Sequence, residues 1–486
     1  MSTDGAARYS AYVSRDVRFD GVFFIGVTST GIYCRPVCTA KTPKVANCRF
    51  FDSAEAAEKA AFRPCLRCRP ELAPGSAPVD DARRVAGLVV RRIEEAMLDG
   101  DAGMEAIAAQ FELSARQLRR IVHDELGVSP IELVSTRRLL LAKQLLTETR
   151  LPITEVAFAS GFASLRRFND AFRTRYGMAP GRLRREVDGA DPSTAAPETL
   201  TLQLSYRPPY DWDGVLAFLG ARALRGVEHI DDGAYARTVR LGPHRGHVRV
   251  RHAPARRALL VEASLSLTPA LPALLGRLRG VFDLGARPDV VAAHLGADRR
   301  LAPAVARHPG LRVPGAFEGF ELAVRAVLGQ QVSVKAATTL AGRFAETFGE
   351  ALDGAPAGLT RLAPTADRVA AAREEEITAL GVVASRARSI LAIAREVASG
   401  RLRLEPGAAP EETLARLVAL PGVGPWTAQY IALRALAWPD AFPKEDLVLR
   451  NALGAATAAQ AEEASQAWRP WRSYATLHLW RAAGGG

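Results

Sequence analysis

All five cysteines of this chain, Cys34, Cys38, Cys48, Cys65 and Cys68, fall before residue 70, and the more than 400 residues that follow have none. A disulfide framework is spread through the domain it staples, so this distribution excludes one. The spacing gives a different reason for the crowding. Cys34-x3-Cys38 and Cys65-x2-Cys68 are two ligand pairs about thirty residues apart, the arrangement by which two short loops close a tetrahedral four-cysteine zinc site. Cys48 has no partner at ligand spacing and reads as a small core residue. The expectation is a small α+β domain over residues 1–75 built around one Zn²⁺ held by Cys34, Cys38, Cys65 and Cys68. On spacing alone the ion is either structural or an activator of one of its thiolates.

A chain of 486 residues exceeds what one hydrophobic core supports, and two polar stretches divide it, Leu72 to Pro78 and Asp188 to Glu198. Between them the sequence repeats at an offset of 50, pairing Ser114 with Ser164, Leu118 with Phe168, Val122 with Phe172, Gly127 with Gly177 and Pro130 with Pro180. In the second copy Leu165, Phe168, Phe172 and Tyr176 keep the spacing of one buried helix face, with Ser164 placed to cap it. The opposite face offers Arg166, Arg167, Arg173 and Arg175, and residues 161–185 carry seven cations against one anion. In the first copy Ser114 opens a helix whose outward residues include Arg116, Gln117, Arg119 and Arg120. A short helix, a turn and a basic second helix, twice over, predict an all-α double helix-turn-helix over 83–187 whose second helices enter major grooves of double-stranded DNA. The net charge of +12 favours a polyanionic partner in the same sense. Six of the cations are Lys and 58 are Arg, the side chain that grips phosphate bidentately.

Alternation returns in Leu202-Leu204-Tyr206 and in Val248-Val250 beside Leu259–Leu267, predicting an antiparallel sheet in an α+β domain over 200–285. Helical periodicity then fills 286–481. There LVALPGVGPWTAQYIALRAL sets Gly422 and Gly424 between two apolar helical stretches, where their backbone amides can converge on one phosphate. This is a helix-hairpin-helix, and Asp446 follows in AFPKEDLVLR.

Three resemblances give these segments an expected chemistry. TSTGIYCRPVC followed by FRPCLRC resembles the metal-binding domain of Ada-type adaptive-response regulators, which implies that Cys34 accepts a methyl group from a methylated DNA phosphate. Zinc keeps a thiolate deprotonated, and the thiolate is the form that attacks a methyl carbon. Four thiolates on Zn²⁺ sum to a formal charge of −2 that repels DNA, and methylating one of them removes a unit of that charge. Arg35, Arg63, Arg67 and Arg69 flank the site and are candidates to hold the phosphate. The paired helical units, the second ending in GMAPGRLRR, resemble the AraC-type DNA-binding domain, which implies promoter binding and, through transcriptional activation, RNA polymerase as a partner.

From about Thr201 to Trp480 the chain resembles AlkA-type 3-methyladenine DNA glycosylases of the helix-hairpin-helix class, on the hairpin, on PGAFEGFELAVRAVLGQQVSVKAA and on WRPWRSYATLHLW. The resemblance implies that Asp446 is catalytic and that Trp426, Tyr430 and Trp480 line the pocket for a flipped base, while Glu445 is left without that role. Breaking an N-glycosidic bond builds positive charge on the sugar, which a nearby carboxylate stabilises. Gln331 stands at the DNA-facing position where the family usually carries an apolar wedge. Trp426 occupies the place of the Schiff-base lysine of bifunctional relatives, so no lyase activity is expected. With no cysteine after Cys68, a cysteine-ligated iron–sulfur cluster is not expected either. The Pro-Cys-His-Arg site of O6-methylguanine methyltransferases is missing, and Trp468 and Trp471 read as packing residues. The N-terminus lacks a signal design and no apolar run approaches the ~18 residues that span a bilayer, so a cytoplasmic protein without a membrane partner is expected. The combined reading is a sensor, regulator and repair enzyme in one chain. The alternative is a non-catalytic, methylation-responsive transcription factor whose glycosylase-like half only binds DNA.

Overall fold

The computed structural model describes residues 3–73, 105, 108, 114–187 and 199–484. Both polar stretches, 188–198 entirely and 72–78 from residue 74 onward, lie outside the described residues, as does most of 83–113. In the N-terminal domain four short strands, β1 (Phe24–Val27), β2 (Ile32–Cys34), β3 (Cys48–Phe51) and β4 (Arg63–Pro64), form one sheet in the order β3-β1-β2-β4. Strand β1 pairs antiparallel with β2 and β3, whereas β2 and β4 run parallel with Tyr33 opposite Pro64. That register carries the logic of the domain. The residues that follow Tyr33 and Pro64 are Cys34 and Cys65, so parallel pairing of two strand ends delivers one cysteine from each ligand pair to the same edge.

In the next domain the sequence repeat becomes a repeat of caps and stops. Ser114 and Gln117 form a reciprocal capping box on helix Ala115–Leu126, and Gly127 ends it at φ 71°. Ser164 caps helix Leu165–Tyr176 through the Arg167 amide, and Gly177 ends it at φ 68°. A left-handed terminator favours glycine because it carries no Cβ. Helix Pro130–Glu148 joins the two units, and the short helix Ile153–Ala159 precedes the second basic one. Phe168, Phe172 and Tyr176 are buried as the spacing predicts, the last two stacked with centroids 4.3 Å apart.

Strands β5 (Thr199–Ser205), β6 (Glu228–Asp231), β7 (Ala234–Leu241), β8 (His244–Ala253) and β9 (Ala258–Ser264) form a fully antiparallel sheet in the order β5-β9-β8-β7-β6. From Leu265 onward the described residues form helices and no strand. The multidomain fold class expected from sequence is therefore the one observed.

The domains are packed on one another. Helix Pro130–Glu148 contacts helix Ala54–Lys59 of the cysteine domain and also β5. Helix Ile153–Ala159 lies against the Leu265–Ala270 segment, and the buried side chains of the helix-turn-helix region merge with those of the sheet and helical domains into one apolar cluster. The cysteine domain keeps a core of its own around Tyr12, Phe23 and Ile25, and Leu140 reaches into a neighbouring cluster with Phe24, Tyr33 and Phe62.

Candidate functional site

The Sγ atoms of Cys34, Cys38, Cys65 and Cys68 all lie within 4.8 Å of one another. Four sulfurs at Zn–S distances near 2.3 Å stand about 3.8 Å apart around a tetrahedral ion, so the cluster fits one zinc. Cys34, Cys38 and Cys65 are buried, and the Arg35 amide donates to Cys68 Sγ at 3.3 Å. Hydrogen bonding with Cys38 and the other sulfurs pushes the Cys34 thiol up and, with Cys34 as donor, holds the Cys65 thiol down. Cys48 packs half-buried at the edge of the core, and burial pushes its thiol up.

Two of the four arginines expected to hold phosphate are engaged inside the protein. Arg35 is buried, donates from Nε to Asp20 Oδ1 at 2.8 Å and from its other nitrogens to Asp20 Oδ2 and the Cys68 carbonyl. Arg69 pairs with Glu71 and Glu148 at 3.0 Å each. Arg63 and Arg67 remain exposed. In the second basic helix Arg166, Arg167 and Arg173 are exposed, but Arg175 is bound to Glu58 of the cysteine domain, 3.2 Å from Nε to Oε2 and 3.0 Å from its NH1 to the Glu58 carbonyl. Arg119 in the first unit is exposed, with Glu105 at 3.9 Å.

In the C-terminal half, helices Pro410–Val418 and Pro425–Arg434 flank the hairpin. Gly422 has φ 72°, and a Cβ there would meet Ser389 Oγ at 2.3 Å, so both conformation and space demand glycine. Gly424 is the N-cap of the second helix, which places its free amides at the turn. Trp426 and Tyr430, one helical turn apart, stack in parallel at 5.4 Å, and Trp480 closes a third side 6.2 Å from Tyr430.

The two indoles converge on one carboxylate. Trp426 Nε1 donates to Asp446 Oδ2 at 2.8 Å and Trp480 Nε1 donates to Asp446 Oδ1 at 3.1 Å. Asp446 is also the N-cap of helix Leu447–Leu453, accepting from the Leu449 amide at 3.0 Å. Three donors thus fix both oxygens of a half-buried carboxylate, while the neighbouring Glu445 leaves Oε2 buried without a hydrogen-bond partner among the described residues. Trp468 and Trp471 are buried packing residues, as expected.

With this geometry, four family descriptions match in chain order: the metal-binding domain of Ada over 7–71, a helix-turn-helix domain over 107–186, the AlkA N-terminal domain over 201–318, and HhH-GPD superfamily base excision DNA repair protein over 324–472. A relative spans all four. A probable bifunctional transcriptional activator/DNA repair enzyme AlkA of Mycobacterium tuberculosis is 40% identical over 487 residues, covering 99% of this chain and 97% of its own. The chain belongs to this AlkA family of bifunctional activator and repair proteins. Its C-terminal half is similar to DNA-3-methyladenine glycosylase 2 of Escherichia coli, 38% identical over 58% of this chain and 97% of that one. The solved 3-methyladenine DNA-glycosylase of Archaeoglobus fulgidus shares the fold, with a TM-score of 0.52 over 57% of this chain and 97% of its own at 21% identity. The four-cysteine cluster of the family's Ada-type domain is a zinc site, and the C-terminal half is a DNA glycosylase. No helix among the described residues is long and apolar enough to cross a membrane.

Sequence reasoning missed the polar end of the aromatic pocket. Arg434 is buried and donates to the Tyr430 hydroxyl at 3.0 Å, while Arg222, on the sheet domain, and Arg434 lie over the Phe218 ring at 3.9 and 4.8 Å. Burial raises the Tyr430 phenol, but Arg434, Arg222 and Arg325 outweigh it and hold the group below its usual range. The signal was available in part, since Arg434 lies two helical turns after Trp426. Arg222 and Phe218 come from a different domain, which no local pattern announces.

Proposed function

We propose that this AlkA-family protein removes alkylated bases from DNA by a single hydrolytic step and carries a methyl-accepting switch that directs it to promoters. The observation that carries the first part is the Asp446 carboxylate, held by two indoles that also wall the aromatic pocket. A flipped, cationic alkylated base would stack on Trp426 and Tyr430 through cation–π attraction. As the N-glycosidic bond breaks, the bonding pair leaves with the base, Asp446 stabilises the positive sugar, and water adds to C1′ and loses a proton. Trp426 offers no amine for a Schiff base, which supports monofunctional chemistry that yields abasic DNA without strand breaks.

For the switch, Cys34 Sγ attacks the methyl carbon of a methylated phosphate. The S–C bond forms as the C–O bond breaks, and the phosphate leaves as an ordinary diester anion. Zinc, when bound by Cys34, Cys38, Cys65 and Cys68, keeps the attacking sulfur ionised at neutral pH. Arg67 and Arg63, being exposed, are the site's own candidates for the phosphate. Arg119, Arg166 and Arg167 would follow major grooves of a promoter, and Gly422 and Gly424 would meet a phosphate beside the lesion, with Gln331 on the same DNA side. Activation brings RNA polymerase to such a promoter.

The test is base release from DNA containing 3-methyladenine by purified full-length protein. Asp446→Asn should lower single-turnover excision by at least about 100-fold, the size of a lost electrostatic stabiliser, and leave affinity for an abasic duplex within about threefold, because phosphate contacts lie elsewhere. No base release by the wild type would favour the non-catalytic transcription factor instead.

A further inference from the structure

The short helix Ala54–Lys59 of the cysteine domain ends in two charged residues, Glu58 and Lys59, that grip the helix-turn-helix region at corresponding places. Lys59 Nζ donates to the Gly127 carbonyl at 2.7 Å. Gly127 is the left-handed stop of helix Ala115–Leu126, and only Val128 and Ser129 separate it from helix Pro130–Glu148. The ammonium therefore sits at a helix C-terminus, where a cation is favoured, and on the joint about which the first basic helix would pivot. Glu58 holds Arg175, in the last turn of helix Leu165–Tyr176 and two residues before the matching stop Gly177. The grip is itself anchored. Tyr33 and Thr136 donate to the buried Glu58 carboxylate at 3.0 and 2.7 Å, Arg137 stands 3.1 Å from Glu55 on the same short helix, and β4 packs against the second basic helix. Both basic helices are thus held at their C-terminal ends, while Arg116, Arg119, Arg166 and Arg167 in their N-terminal halves stay exposed.

We infer that Glu58 and Lys59 are positioning residues for promoter reading, and that through them the zinc domain braces the two groove-reading helices at a fixed distance and angle. The inference rests on the proposed reading of Ala115–Leu126 and Leu165–Tyr176 as those helices. A recognition helix presents its N-terminal residues to base edges, and that is the end the brace leaves free. Two units on one duplex must match grooves one turn, about 34 Å, apart, and each added base pair moves the second groove by about 3.4 Å and about 35°. Joined to the rest through the Gly127 turn alone, the first unit would swing to follow such a shift at little cost. With neighbouring residues of one short helix fastened to both units, it follows only by breaking a contact of the brace or by giving up contacts to bases. Selectivity for half-site spacing then comes from a domain that need read no base.

The test uses full-length protein, the tightest duplex that wild type selects from a randomised pool, and the same duplex with one base pair inserted between the two footprinted grooves. Wild type should bind the inserted duplex about 10-fold or more weakly, the order of one or two lost base contacts. Glu58→Gln keeps the side chain's size and removes its charge, and Lys59→Met removes the ammonium from the Gly127 carbonyl. Each should narrow the ratio of the two affinities, and the double variant should bring it below about 3-fold. Arg175→Gln cuts the same ion pair from the helix side and should narrow the ratio as Glu58→Gln does. A ratio unchanged in the double variant and in Arg175→Gln would overturn the inference, and so would a loss of affinity by one common factor for both duplexes, which is what a general loosening of the fold produces. A wild type that binds the two duplexes equally would remove the two-helix reading, and the inference with it.

Discussion

At the residue scale the informative fact about Asp446 is how completely its oxygens are occupied. One oxygen accepts from Trp426 and the other from Trp480 and the Leu449 amide. Because the indoles hold the carboxylate and, in the proposed reaction, also wall the base pocket, a change that removes one N–H and keeps a ring separates the two roles. Trp480→Phe should lower the excision rate constant about 10-fold or more while KM for the lesion changes less, since an imprecisely held group costs most in the transition state. Single-turnover and steady-state measurements on the same substrate check the split. A second residue acts on stability. His478 is buried in the helix that carries Trp480, and burial, with His308 and Arg481 nearby, lowers its pKa from 6.5 to about 4. The unfolded chain then binds the extra proton first, so this contribution is complete above pH 6.5 and is lost as pH falls toward 4. Between pH 7 and 5 the wild type should lose on the order of 2 kcal/mol that His478→Leu does not lose, read from denaturant unfolding at the two pH values.

At the scale of elements, the helix Pro130–Glu148 is both the link between two DNA-reading units and the seat of the zinc domain. Lys143, buried on this helix, donates to Glu71 at 2.7 Å and to the carbonyl of Cys65 at 2.9 Å. Glu58 accepts from Tyr33 at 3.0 Å and from Thr136 at 2.7 Å, and it holds Arg175 of the second basic helix. Tyr33 precedes the zinc ligand Cys34, so the Glu58 side chain bridges that ligand's strand and the second basic helix. Lys143→Met should destabilise this docking by about 2 kcal/mol, because it takes the donor from one oxygen of the buried Glu71 carboxylate while Arg69 still holds the other. Faster amide exchange in Pro130–Glu148, with base excision unchanged, is the expected outcome. These contacts also mark what the sequence could and could not disclose. The caps, the repeated glycine stops, the paired cysteines and the aromatic triad were legible, because each is set by spacing within one element or by a motif. Arg35 and Arg175 looked like free cations, because their partners Asp20 and Glu58 lie 15 and 117 residues away. Burial of a charge is decided by the face a distant element covers, and periodicity carries no record of it.

At the scale of the whole molecule, a buried guanidinium helps tie the zinc domain to the glycosylase half. Arg207, buried at the end of β5, donates to the Asp20 carbonyl at 2.9 Å and to the Gly285 carbonyl at 2.7 Å, and Asp20 is the residue that neutralises Arg35 beside the zinc ligands. The tie is mechanical and leaves the two chemistries separate, because the four cysteines and the Trp426, Tyr430 and Trp480 cluster belong to different domains. Cys34→Ser should therefore keep base excision within about twofold of wild type and abolish the tightening of promoter binding that follows exposure to methylphosphotriester DNA. The wild-type gain should shrink with added salt, as a relieved phosphate repulsion must, and titrating premethylated and unmethylated protein onto promoter DNA at two salt concentrations measures it.

The merged apolar cluster of the helix-turn-helix and sheet domains has a consequence for how such a chain can be taken apart. A boundary drawn on sequence at 188–198 looks like a place to cut, yet the elements before and after it share one apolar core. Each severed half would carry a greasy scar where Leu145, Leu146 and Val156 had faced Leu202 and Leu267 across one core. Halves expressed apart should therefore aggregate or unfold more readily than the whole chain.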